Sequence, residues 1–284
     1  MGFSGFSNPL SPSILAVLYR WHPACSVGLM LNRGAATVRG SAIAVIIFAI
    51  SVVVGHPTIL TSQAQALAMA GDKSQLFVDQ LLARMMAHRK WQDSALREYQ
   101  AHRLFHASNN RFNIESILEV ETTFRSPGPL QSTVMRQEGS AFIREHVFEK
   151  ILLAESELSD KNNADMIPDN YQFTLVGSDG CEGRRCWHMT VKPKRSEKYL
   201  VNGDVWLDAE DYAISRIHGF PSKHVSLWIS RAEIDWHFHR MDTGVWLTEK
   251  VESSSDVRLF GTVEMQIHYN YNTIGVVNIA KSGN

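Results

Sequence analysis

Phe112-Asn113-Ile114-Glu115-Ser116-Ile117-Leu118-Glu119-Val120-Glu121-Thr122-Thr123-Phe124 is the stretch whose period decides the fold. Phe112, Ile114, Leu118, Val120 and Phe124 alternate with Asn113, Glu115, Glu119, Glu121 and Thr123. That two-residue period predicts a long β-strand with one buried and one wet face. Upstream, Ala95 to His106 carries Tyr99, Ala101 and Phe105 at strand spacing, and Asn109-Asn110 supplies a turn. Downstream, Pro127-Gly128-Pro129 turns the chain into a third strand, Leu130 to Glu138. The three are expected to form a meander.

The same period returns from Tyr171 onward. Strands are predicted at Tyr171-Phe173-Leu175, Trp187-Met189-Val191, Val205-Leu207, Tyr212-Ile214, Ile234-Trp236-Phe238, Val245-Leu247-Val251 and Val263-Met265-Ile267-Tyr269-Tyr271. Turns are expected at Ser178-Asp179-Gly180, Asn202-Gly203-Asp204, Asp208 to Asp211, Asp242-Thr243-Gly244 and Gly261. Two segments have helical spacing instead. Asp72 is read as the N-cap of a helix running to about Arg89, with Leu76, Phe77, Leu81, Leu82, Met85 and Met86 as its apolar stripe. Phe142 to Leu158 places Phe142, Val147, Ile151, Leu152 and Leu158 on one side, and the polar run Ser159 to Asn163 follows as a surface loop. The class is therefore α+β and mostly antiparallel β. About ten strands with one apolar face each must curl or be covered, and a curved half-open β-barrel with helices over its open face is the economical solution.

No Asp or Glu occurs from Met1 to Ala66. The apolar run Ala42 to Val54 is shorter than the ~20 residues that span a bilayer core, and it is followed by Ala64-Gln65-Ala66, with Ala68 and Ala70 as a second small-residue pair. Residues 1–66 are read as an export leader and 67–284 as one domain, soluble in the periplasm after cleavage. A signal anchor over residues 42–60, tethering the domain to the inner membrane, is the alternative, and Met30 would make a more ordinary start than Met1. No cysteine stands where a lipoprotein signal would need one.

The whole chain has 28 basic and 29 acidic residues, and removing the three arginines of the leader leaves 25 basic against 29 acidic. A mildly acidic domain is not expected to bind nucleic acid. Cys181 and Cys186 flank Glu182-Gly183-Arg184-Arg185 between two strand-like runs, so a hairpin would bring them together, and export favours a disulfide. So short a loop makes it a trim of about 2 kcal/mol rather than the basis of the fold. A two-cysteine metal site with His188 is the alternative.

Twelve histidines raise the question of a metal. His237 and His239 share a strand face with Asp235, but Ile234, Trp236 and Phe238 claim the buried side, so the pair is read as solvated and no metal is assigned. Asp208, Glu210 and Asp211 are read as a turn rather than a Ca²⁺ loop, His188 as a surface strand residue, and the tryptophans 187, 206, 228, 236 and 246 as packing. No His-Glu-x-x-His, Gly-x-Ser-x-Gly, phosphate-cradling or dinucleotide motif is present. Neither enzyme activity nor a cofactor is expected.

The order of elements resembles the LolA-like outer-membrane lipoprotein-sorting superfamily. The resemblance rests on a signal followed by a helix containing Ala83-Arg84-Met85, the meander, a helix after the third strand, and Tyr171-Gln172-Phe173-Thr174-Leu175-Val176-Gly177. It continues through Trp187-His188-Met189-Thr190-Val191-Lys192-Pro193, Val205-Trp206-Leu207-Asp208, Tyr212-Ala213-Ile214-Ser215-Arg216, Gly244-Val245-Trp246-Leu247-Thr248 and the closing strand after Gly261. It implies a half-open barrel with a helical lid over an apolar cavity, and a lipid or lipidated protein as partner, with an envelope protein as a further one. The cavity wall is then expected at Phe112, Ile114, Leu118, Val263, Met265 and Ile267, and the lid at Phe77, Leu81 and Met85. A carrier of lipid and a periplasmic sensor that contacts a partner protein both use such a scaffold.

Overall fold

The computed structural model describes residues 60–149, 151–152, 165–197, 200–223, 229–259 and 261–277. The chain enters through helix α1 (Leu60–Ala95) and passes directly into the meander β1 (Leu96–Asn109), β2 (Ile114–Arg125) and β3 (Gln131–Gly139). A helical turn, α2 (Ala141–Ile143), runs into a π-helical stretch, Arg144–Phe148. Seven strands follow: β4 (Tyr171–Cys181), β5 (Arg184–Pro193), β6 (Val201–Asp208), β7 (Ile214–Pro221), β8 (Ile229–Arg240), β9 (Trp246–Val257) and β10 (Gly261–Val276).

All ten strands belong to one antiparallel sheet in the order β3-β2-β1-β10-β9-β8-β7-β6-β5-β4. The last strand docks between β1 and β9, joining the N-terminal meander to the C-terminal one, while β3 and β4 are left as edges. The sheet is open. Register shifts between Gln100 and Ala101, Glu119 and Val120, Leu175 and Gly177, Trp206 and Leu207, and His237 and Phe238 add local twist, and bulges of this kind let a wide sheet coil.

Several expectations need correction. Helix α1 begins at Leu60, so Asp72 lies inside it rather than at its cap, and it continues to Ala95. Leu76 leaves the stripe and is 59% exposed, because the sheet is met by Val78, Leu81, Leu82 and Met85. Ser178-Asp179-Gly180 is not a turn: β4 runs on to Cys181, and Glu182 and Gly183 make the two-residue loop, both at positive φ (49° and 79°), the conformation that matches hairpin twist. Asn202-Gly203-Asp204 is not a turn either. Gly203 faces Gly219 across β6 and β7, and a Cβ on Gly203 would fall 2.1 Å from the His218 carbonyl oxygen. The glycine serves close strand approach, not reversal. The predicted helix from Phe142 is helical through Leu152 apart from the undescribed Lys150, with Val147, Phe148 and Ile151 buried; its continuation to Leu158 and the loop Ser159 to Asn163 lie outside the described residues. So does the leader before Leu60.

Candidate functional site: the helix-covered concave face

Helix α1 lies on the concave side of the sheet because its apolar residues recur at helical spacing and the strands offer one continuous apolar face. Val78, Leu81, Leu82 and Met85 join a single buried cluster with residues from nearly every strand, including Phe105, Val120, Met189, Ile234 and Val251. Of the cavity-wall residues, Leu118, Met265 and Ile267 are buried in this cluster, and Ile114 and Val263 pack against it half-buried. Phe112 does not join them. It is 47% exposed in the turn before β2, where its N–H bonds to Asn109 Oδ1 (3.0 Å) and Asn113 takes a left-handed φ of 50°. Among the lid residues, Leu81 and Met85 are buried in the cluster, and Phe77 sits at its margin, edge-on to Trp187 with ring centroids 5.2 Å apart.

The C-terminal half of α1 is held by polar contacts. Gln92 Nε2 donates to the Trp246 carbonyl (3.0 Å) and Trp246 N–H donates to Gln92 Oε1 (2.8 Å), both buried. Arg84 donates to the Tyr212 hydroxyl and lies over its ring, 4.9 Å from the centroid. Arg89 pairs with Asp165 (2.9 Å), at the start of the segment leading into β4. Beside that pair, burial pushes the Asp93 carboxyl up to about 7, against the pull of Arg89 and with a small push from Asp165. The helix is thus pinned near its C-terminal end by Gln92 and Arg89, while Phe77 to Met85 rests on apolar contact apart from the Arg84–Tyr212 bond.

Arg103 is a residue that the strand pattern did not single out. It stands on β1 between Ala101 and Phe105, on the concave side, and is completely buried. Its guanidinium lies 5.1 Å from the Phe105 ring centroid and 5.6 Å from that of Tyr269, its cross-strand partner on β10. Nη2 donates to Ser132 Oγ (3.0 Å), which is in turn 3.4 Å from Thr122 Oγ1. Ser132 is exposed on the edge strand β3, so the guanidinium runs from a buried stem toward the open rim of the sheet. Pairing between β9 and β10 stops at His268 and Lys250, and where the strands part an open cleft of about 460 Å³ forms, lined by Tyr269, Tyr271 and Glu249 among others. Tyr271 donates to the Thr248 carbonyl (2.9 Å) across this split.

One open ten-stranded antiparallel sheet around a covering helix is the architecture that the resemblance implied. In that architecture the fold resembles a LolA-like one. No family model matches the chain, and no curated protein matches it. Among solved structures it is similar to a LolA superfamily protein from Nitrosomonas europaea (TM-score 0.37, 5% identity, covering 71% of this chain and 94% of that one). It is also similar to a DUF1329 family protein from Desulfovibrio piger (0.36, 10%, 70% and 95%) and to an outer membrane lipoprotein-sorting protein domain from Vibrio parahaemolyticus (0.36, 11%, 66% and 91%). With TM-scores below 0.5 and identities of 5%, 10% and 11%, these likenesses carry no argument of their own.

The convex face of the sheet is polar. His188 stacks on Trp206 (4.7 Å, nearly parallel) and bonds to Asp204 (2.9 Å). Arg216 also lies over the Trp206 ring, 4.7 Å from its centroid, and forks onto Asp235. Burial pushes the Asp235 carboxyl up, but hydrogen bonds from Arg216 and His237 outweigh it and hold it well below the usual carboxylate range. The two histidines weighed as a metal pair part company: His237 turns to Asp235 (3.2 Å) and the exposed His239 to Glu182 (3.3 Å). Glu182, His239 and Glu249, all exposed, each bring one ligand atom within 4.8 Å of the others. The hairpin carrying Glu182 is closed by the Cys181–Cys186 disulfide (Cα–Cα 6.0 Å). No described helix is long and apolar enough to cross a membrane.

Proposed function

We propose that this is an exported binding protein which holds an acyl chain, of a lipid or of a lipidated protein, between the concave face of the sheet and α1, in the cell envelope. The observation that carries this reading is the asymmetric attachment of the helix. Its last three turns are fastened by Gln92, Arg89 and Arg84, while Val78, Leu81 and Leu82, N-terminal to those pins, cover the apolar face by contact alone. Apolar contact is non-directional, so an acyl chain can take the place of those side chains at about 0.8 kcal/mol per buried methylene while the pins keep the helix attached. The acid-free leader with its apolar run supports export.

The test is lipid mass spectrometry of mature protein purified from the periplasm, with native mass spectrometry for stoichiometry. A stoichiometric lipid supports the carrier. Protein that carries none and takes up no fluorescent fatty acid sinks it.

A sensor or interaction module on the same scaffold is favoured by one feature, the edge strand β3. All nine of its residues are exposed, Val134 and Met135 included, and an open strand edge can accept a partner's strand. A lipid-free protein that binds an envelope partner, and loses it on Val134→Pro, would support this alternative.

A further inference from the structure

We propose that Glu182, His239 and Glu249 form a three-ligand site for a divalent transition ion of the zinc class, at the mouth of the cleft where β9 and β10 separate. The site is independent of the carrier reading and goes beyond it. Three separate elements supply the donors, the β4–β5 loop, β8 and β9, and one atom from each lies within 4.8 Å of the other two. The set is mixed rather than purely acidic. One imidazole with two carboxylates is a combination that zinc accepts, whereas calcium and magnesium take oxygen ligands.

The backbone brings both carboxylates to His239. Thr248 pairs with Phe238 and Lys250 with His237, so Glu249 is the extra residue of a bulge in β9, and a bulge re-aims the side chain it carries. Glu249 also stands just outside the stretch of β9 that pairs with β10, which begins at Lys250, and the cleft beside it is lined by both His239 and Glu249. Glu182 comes from the other hairpin, in left-handed backbone (φ 49°), with the Cys181–Cys186 disulfide closing the loop around it. Its Oε2 is 3.3 Å from His239 Nδ1. Among the described residues no lysine or arginine forms an ion pair with either glutamate, and the adjacent Lys250 pairs with Glu252 instead. Two carboxylates gathered at one imidazole repel each other, and a divalent ion replaces that repulsion with attraction. Donor atoms bound at about 2.0–2.2 Å around a tetrahedral ion stand about 3.4 Å apart. Rotation of three exposed side chains is enough to reach that spacing, and the cleft leaves room for water as a fourth ligand.

The experiment is isothermal titration calorimetry of tag-free, chelator-stripped mature protein with zinc chloride, and with calcium chloride in parallel. The wild type is expected to bind one equivalent of zinc at micromolar affinity and no calcium. Glu182→Gln, His239→Ala and Glu249→Gln are each expected to weaken zinc binding by at least about tenfold, the loss seen even for groups one step removed from a metal. His237→Ala is the control on the same strand face: its imidazole turns to Asp235, and zinc affinity should not change. The three ligand side chains are exposed, so the variants are expected to fold, and circular dichroism checks that each has done so. Failure of the wild type to bind zinc, or wild-type affinity in the folded His239→Ala and Glu249→Gln proteins, overturns the site. Calcium bound as tightly as zinc overturns the ion class, and a tenfold loss in His237→Ala overturns the choice of ligands. None of these outcomes bears on lipid uptake, which is measured separately.

Discussion

Gln92 on α1 and Trp246 at the start of β9 exchange two buried hydrogen bonds, the side-chain amide of one imitating a strand neighbour for the backbone of the other. The amide satisfies a backbone N–H and C=O that the sheet leaves over, since β9 has no β10 partner before Lys250. This one contact ties the helix to the point where the sheet divides.

Replacing Gln92 with Ala strands both backbone groups of Trp246 in a buried site. Each unsatisfied group costs about 1–3 kcal/mol, so a loss of about 2–4 kcal/mol is expected. Hydrogen exchange should rise first along the last two turns of α1. A variant with wild-type stability and unchanged exchange there would show that the pin is not energetic.

Asp93 makes the stability fall as pH rises. Its folded carboxyl titrates near 7 and its unfolded one near 3.8, so between these values the folded state holds a proton that the unfolded state has lost. The penalty grows across that window and levels off above it, reaching at most about 4 kcal/mol and less where water screens the carboxyl. Asp93→Asn should raise the melting temperature more at pH 8 than at pH 5. An equal shift at both would refute the displaced titration.

Arg184 forks onto Asp208, Nε to Oδ2 at 2.6 Å and Nη2 to Oδ1 at 3.0 Å, while the N–H groups of Glu210 and Asp211 donate to Oδ1. Burial pushes this carboxyl up, but Arg184 and the two N–H groups outweigh it and hold it below the ordinary range. A depressed carboxyl contributes stability above its unfolded titration, near pH 4, and loses it as pH falls through the folded value. Arg184→Ala should cost about 3 kcal/mol at pH 7, because it leaves a buried charge short of its partner, and less at pH 3. Urea melts at the two pH values measure the difference.

Cys181 and Cys186 close a loop so short that their bridge constrains the unfolded chain by about 2 kcal/mol. The double variant C181S/C186S should melt about 4–8 °C lower and keep its circular dichroism spectrum. Loss of the fold in that variant would mean that the hairpin nucleates the sheet.

Alternation from Ile114 to Phe124, the stripe through Leu81 and Met85, and the Cys181 to Cys186 spacing were legible in the chain because each depends on neighbours within a turn or a hairpin. Local periodicity says which face of an element is buried, so the strands, the open antiparallel sheet with its covering helix, and the disulfide followed from it. What it could not say is which elements meet. The docking of β10 between β1 and β9 and the facing of Gly203 with Gly219 depend on register between strands far apart in sequence, so Gly203 read as a turn. Arg103 offered only a charge among apolar alternates; that it is buried against Tyr269 follows from the pairing of β1 with β10, which brings residues 166 positions apart into one register. The sequence by itself determined the elements and their apolar faces, because these are set by side-chain order along one strand or helix. Only the tertiary structure decided where the helix is pinned and what the buried arginine faces, because those are set by long-range pairing that no local period encodes.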